Sequence, residues 1–214
     1  MIYQFKKFVP TIDTSSFIHP QANVTGNVEI GKNVYVGPGA VLRGDWGKII
    51  IEDGSNIQEN CIIHMFPGTT VHISKGAHLG HGCTIHGATI GENTMIGINA
   101  VILDDAEIGN ECIVGALTLI KSEMKVPNRK IVVGNPGKII KDVSDEMLSW
   151  KTNGTKLYQQ LPEDCFNSLK ECTANSNKIN HKSVGFITAL TKFGLLIPLF
   201  TANAELYLFV AFFS

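Results

Sequence analysis

The stretch "ATIGENTMIGINAVILDDAEIGNECIVGALTLI", Ala88 to Ile120, decides the fold. An aliphatic residue returns at every sixth position: Ile90, Ile96, Ile102, Ile108, Val114 and Ile120. Glycine often follows it, as at Gly91, Gly97, Gly109 and Gly115. Four residues after each aliphatic stands a smaller side chain: Thr94, Ala100, Ala106, Cys112 and Thr118. A period of six is not the 3.6 of a helix face, and it is too regular for unrelated short strands.

The same register extends upstream. It runs Ile12, Ile18, Val24, Ile30, Val36, Leu42, resumes at Ile51, Ile57 and Ile63, and resumes again at Ile73, Leu79 and Ile85. That makes eighteen positions in four blocks. Such a hexapeptide repeat predicts a parallel β-helix, a triangular prism in which three six-residue sides close one coil. The aliphatics point inward, and the small residues fill tight inner positions near the corners. Cys61, Cys83 and Cys112 all fall in the small position, so they read as small buried hydrophobes rather than catalytic thiols.

Composition narrows the function. The chain of 214 residues carries a formal net charge of −1 and no basic block, which argues against a nucleic-acid partner. Five cysteines without CxxC spacing suggest a reducing, cytoplasmic compartment. The opening "MIYQFKKFVP" has no apolar core of a secretory signal. No P-loop, strand-linked GxGxxG or GxSxG appears.

The repeat breaks in three places. Three residues are inserted between Leu42 and Ile51, four between Ile63 and Ile73, and one is missing between Ile85 and Ile90. Each break begins at a chemically capable residue in the position after the aliphatic: Arg43, His64 and His86. Arg43 to His64 is one 18-residue coil plus three, and His64 to His86 is one coil plus four. The three should therefore stack on one edge in successive coils, about 4.8 Å apart. That spacing lets His64 and His86 share one metal ion.

His81 follows Leu79 by two residues and belongs to another edge. A neighbouring copy in a cyclic homotrimer would carry its own His81 to the His64–His86 edge. Three imidazoles with an open fourth position is a catalytic zinc layout, which lowers the pKa of bound water to about 7. Fe2+ or Co2+ would suit the same three ligands. His19, His72, His78 and His181 read as structural or surface residues.

The segments "RGDWGKIIIEDGSNIQENCIIH" and "HLGHGCTIHGATIG" resemble the γ-class carbonic anhydrases. The resemblance spans about residues 10 to 140 and implies a trimeric, left-handed β-helix. It implies His64 and His86 as metal ligands from one chain, with His81 from the next. It implies Arg43 and Asp45 as an Arg-x-Asp pair bridging subunits, and Gln58 beside the metal site. Asn56 begins that segment, and Glu59 takes the place of its following acidic residue. The segment "VGNPGKIIKDVSDEMLSWKTNGTKLYQQL", Val133 to Leu161, is similar to the phenylacetic acid degradation and carnitine operon branch of this family, which is linked to coenzyme A thioesters. There Ser144 should cap an amphipathic helix whose apolar face starts at Met147, Leu148 and Trp150 and continues through Leu157, Tyr158 and Leu161.

Two departures matter. Trp46 stands where fast enzymes of the class carry a glutamate, and the loop from Met65 to Val71 has no ionisable group. General acid–base work needs a titratable group within reach. The expected activity is reversible CO2 hydration. The alternatives are an acyl-CoA thioesterase of hydroxyphenylacetyl-CoA type, a metal-free hexapeptide acyltransferase with a lone catalytic histidine, and an accessory protein that keeps the metal for assembly.

The expected organisation is a β-helix over residues 1–140, a packing helix over 141–165 and an atypical extension over 166–214. That extension comprises a polar linker and an apolar tail. The tail approaches the length of a membrane span, with Lys192, Pro198 and Glu205 interrupting it.

Overall fold

The computed structural model describes residues 1–173. The apolar tail and all but the start of the polar linker, and with them the question of a membrane contact, lie outside the described residues. Among them, no helix is long and apolar enough to cross a membrane.

Met1–Ser168 forms one compact unit. It is a parallel β-solenoid of about seven coils closed by a single helix. The repeat aliphatics meet in register from coil to coil. Leu42 pairs with Ile63, Ile63 with Ile85, Ile85 with Ile102, and Ile102 with Ile120. All five are fully buried, as are Cys61, Cys83 and Cys112. Each isoleucine or leucine so buried contributes roughly 1.5–3 kcal/mol. The corners need a left-handed residue, which asparagine tolerates; Asn33, Asn60, Asn93 and Asn99 all take φ of 50° to 60° there.

The three outer faces differ. The first carries Val41, Ile62, Thr84, Val101 and Leu119 outward, a mostly apolar column. The second carries Glu29, Ile50, His72, Thr89, Glu107 and Lys125 and is mainly polar. The third carries Phe17, Tyr35, Asn56, His78 and Met95, and the helix covers part of it.

The first sequence break is not a loop. Its three extra residues are absorbed into one long strand, Val41–Ile51, which turns a corner while still paired with Asn23–Ile30. The second break does leave the ladder: Met65 turns inward and Phe66 outward.

The helical boundary also shifts. Lys138–Asp142 is a strand that turns back antiparallel onto Lys130–Val133, so Lys141 and Asp142 are not helical. The helix α1 spans Asp145–Ser168. Ser144 caps it, its Oγ accepting from the Met147 amide at 3.2 Å. Asp145 and Glu146 favour the positive end of the helix dipole. The helix contacts the strands Phe17–Ile18, Tyr35–Val36 and Asn56–Ile57. Its buried positions are Lys151, Thr155 and Pro162. Leu157, expected on the packing face, is 73% exposed, because the docked face follows residues 151, 155, 158 and 162.

Candidate functional site

Two clusters of polar side chains occupy two different edges of the prism. The first joins Arg43, Asp45, His64, His86 and Asp104. His64 and His86 are direct ladder partners, as the coil count requires. Arg43 donates from Nη2 to Nδ1 of His64 at 3.2 Å and from Nη1 to Asp45 at 3.2 Å. A guanidinium only donates, so Nδ1 of His64 carries a lone pair. Its Nε2–H then donates to Oδ1 of Asp45 at 3.0 Å. Nδ1 of His86 meets Oδ1 of Asp104 at 2.6 Å. A carboxylate there favours the proton on Nδ1 and leaves Nε2 as a second lone pair.

The inner nitrogens, Nδ1 of His64 and Nε2 of His86, are 3.3 Å apart. Two lone pairs at that distance repel unless a proton or a metal ion lies between them. Two ligands on a tetrahedral zinc with bonds of about 2.0–2.1 Å would stand about 3.3–3.4 Å apart. The residues therefore fit a metal, which would take the place of the Arg43 N–H on the His64 lone pair. Gly87 keeps this corner open. Its φ is +62°, and a Cβ on it would collide with the Asp104 carboxylate that holds His86.

The rim of this edge is aromatic. The Trp46 ring lies 5.2 Å from His64, and Phe66 meets His86 edge-on at 5.1 Å. Both aromatics are about half exposed.

The second cluster holds His81, Glu59, Gln58, Asn56 and His78. Nδ1 of His81 lies 2.5 Å from Oε2 of Glu59, whose other oxygen accepts from the Tyr35 hydroxyl at 3.1 Å. That leaves Nε2 of His81 as its free nitrogen, on a ring that is 46% exposed. Gln58 is fully buried, and its Nε2 donates to Asn56 at 3.0 Å. The same nitrogen lies 2.7 Å from Nε2 of His78.

Of the expected site residues, the chain brings Arg43, Asp45, His64 and His86 together. It leaves His81 and Gln58 on the other edge. Arg43 and Asp45 pair within one chain, both side chains leaving the same strand. Among the described residues, no three His, Cys, Asp or Glu side chains of one chain are grouped to hold a metal. Asp104 went unread in the sequence, and His78 was read there as a structural or surface residue. Asp104 lies 18 residues from His86, one coil further on, so the repeat count could have found it. His78 stacks on Asn56 by the same coil count, and only its contact with Tyr158 of α1 lies beyond the repeat. The buried Cys83 stays a neutral thiol: its Cys61 partner and burial push its pKa well above the usual thiol range.

The comparisons with known proteins agree with this architecture. The family model described as bacterial transferase hexapeptide (six repeats) matches residues 10–44 and 87–122. The carnitine operon protein CaiE of Escherichia coli K12 is 40% identical over 169 residues, covering 79% of this chain and 86% of that protein. CaiE of Proteus sp. strain LE138 is 38% identical over 172 residues, covering 80% and 87%. Among solved structures, a putative acetyltransferase of Bacillus cereus superposes with a TM-score of 0.75 at 29% identity, covering 76% of this chain and 95% of that one. A hexapeptide transferase family protein of Anaplasma phagocytophilum gives 0.73 at 28%, covering 76% and 96%. With its repeat register, its helix-closed prism and these relatives, the chain belongs to the CaiE branch of the hexapeptide-repeat family.

Proposed function

We propose that the chain is a metal-dependent enzyme that moves the acyl group of a coenzyme A thioester to water or to a small acceptor, working as a cyclic homotrimer. The observation that carries this reading is the aromatic rim. Trp46 and Phe66 flank the histidine pair, and an acyl or aryl group has apolar surface to place against them, whereas CO2 has almost none. The transferase names of the family model and of the Bacillus and Anaplasma structures point the same way.

A bound Zn2+, Fe2+ or Co2+ would supply Lewis acidity toward the thioester carbonyl and an acidified water. His64 and His86 would hold it from one chain and His81 from a neighbouring copy. Asp45, Asp104 and Glu59 fix the three ring orientations, as carboxylates behind histidine ligands do. Arg43 keeps a positive charge at the site for a developing oxyanion. The bare apolar column of the first face supports the trimer. It lies between the His81 edge and the His64–His86 edge, so a copy that covers it stands beside both.

Reversible CO2 hydration is the second reading, favoured by the paired inner nitrogens of His64 and His86. One experiment separates the two. Protein of known zinc content is assayed for coenzyme A release from acetyl-, crotonyl- and phenylacetyl-CoA, with and without amine acceptors. It is assayed in parallel for CO2 hydration by stopped flow in strong buffer. Metal-dependent thiol release that increases with acyl size is the expected result. CO2 hydration without thiol release would reverse the order of the two readings. Thiol release independent of metal and of His81 would favour the metal-free acyltransferase.

A further inference from the structure

His78 lies one coil beyond Asn56, on the face that α1 covers. The amide nitrogen of Gln58 has two protons. One goes to Oδ1 of Asn56 at 3.0 Å, and the other points at Nε2 of His78, 2.7 Å away. An amide nitrogen only donates, so Nε2 of His78 accepts. A neutral imidazole has a single lone pair, so the proton of His78 resides on Nδ1. The Asn56 amide nitrogen approaches that Nδ1 at 3.3 Å, the longest of the three contacts and the one that yields. Desolvation keeps His78 neutral, its pKa pulled down to about 3, with Lys151 and His81 adding to the effect. From α1, Tyr158 meets the His78 ring edge-on at 5.0 Å and 88° and fixes its plane.

We propose that His78 is a positioning residue that holds the Gln58 amide in one orientation, with Oε1 as the atom offered to a ligand at the His81 edge. Gln58 then acts as a hydrogen-bond acceptor, for a group with a proton to give, such as the attacking water or an acceptor amine. Without His78 the amide is free to rotate half a turn and present Nε2. The helix therefore reaches the chemistry through Tyr158, His78 and Gln58. This inference rests on reading the His81 edge as half of the active site.

The test has two readouts on the full-length assembled protein. The first is side-chain 15N NMR. Slowly exchanging Gln58 amide protons and an Nδ1–H tautomer of His78 are expected in the wild type. The amide protection should vanish in His78→Leu and return in His78→Gln, whose own carbonyl can accept. The second readout is kinetic, on whichever acyl-CoA the wild type turns over. His78→Leu should lower kcat about 10- to 100-fold, as loss of a supporting partner does, with little change in KM. His78→Gln should recover most of that loss. In a Gln58→Leu background, His78→Leu should cost nothing further. An equal loss in both backgrounds, or unchanged Gln58 amide protection in His78→Leu, would overturn the positioning role. If the wild type turns over neither thioester nor CO2, the functional reading fails by itself, and the amide signals still decide what His78 does.

Discussion

The two edges of the prism carry comparable chemistry by different means. On the His64–His86 edge, the histidine pair and its Asp104 partner run along the coil ladder. His64 pairs with His86, and Asp104 stands one coil beyond. Its rim, Trp46 and Phe66, is half exposed, and His64 beneath it is buried. On the His81 edge, Gln58 is buried and His78 is packed under a helix whose Tyr158 lies 80 residues beyond His78 in sequence. The first edge is built by repetition and the second by a tertiary contact laid over the repetition. One result is that the first edge keeps His64 buried beneath a half-exposed aromatic rim, while the second buries Gln58 and leaves the His81 ring 46% exposed.

The comparison can be broken most sharply at the metal. His64→Ala or His86→Ala should reduce zinc affinity by more than about 100-fold, beyond the loss expected for a supporting partner. His81→Ala should do the same while leaving the oligomer intact by light scattering. Full zinc occupancy in His81→Ala, by elemental analysis, would detach the second edge from the site.

The next effect concerns the carboxylates. Asp104→Asn and Glu59→Gln should each cost about 10-fold in metal affinity, because each keeps the size but loosens the hold on the histidine tautomer. If only Asp104→Asn has an effect, the two edges do not share one site.

Stability offers a finer comparison. Lys151 of α1 is buried, donating to the Gly76 carbonyl at 2.9 Å and to Asn93 at 2.6 Å. Desolvation pulls its pKa down to about 7, partly opposed by Glu111. The sign follows from linkage. Between about pH 7 and the ordinary lysine value of 10.5, the unfolded chain binds a proton that the folded chain does not, so stability rises with pH. Melting temperature should climb across that window in the wild type, and the climb should flatten in Lys151→Met. His78 acts in the same direction at lower pH, with stability falling as pH drops from 6.5 toward 3.

The smallest effects test the helix itself. Ser144→Ala removes the cap and should cost about 1 kcal/mol in chemical denaturation. Leu157→Ser, at an exposed position, should stay within about 0.5 kcal/mol.

Much of the first edge was legible because a hexapeptide period converts sequence distance into spatial distance. Arg43, His64 and His86 each follow a repeat aliphatic, and counting coils was enough to stack them. The same count shows why His81 stands apart. It does not show the bend at Val41–Ile51, where an insertion became strand rather than loop, since ladder pairing with Asn23–Ile30 satisfies backbone groups that a loop would expose. It also misplaced Leu157, because the apolar residues of α1 do not all lie on the side that docks.

By itself the sequence determined the prism, its core residues and the edge that gathers the histidine pair, since a fixed period leaves the chain one way to bury its aliphatics. The coil count places Asp104 one coil beyond His86, but only the tertiary structure decided that Asp45 turns onto His64 and that Tyr158 meets His78. It also decided that the Gln58 amide is spent on two neighbours. Those choices depend on distances of a few ångströms between residues from separate coils and from α1, which no repeat encodes.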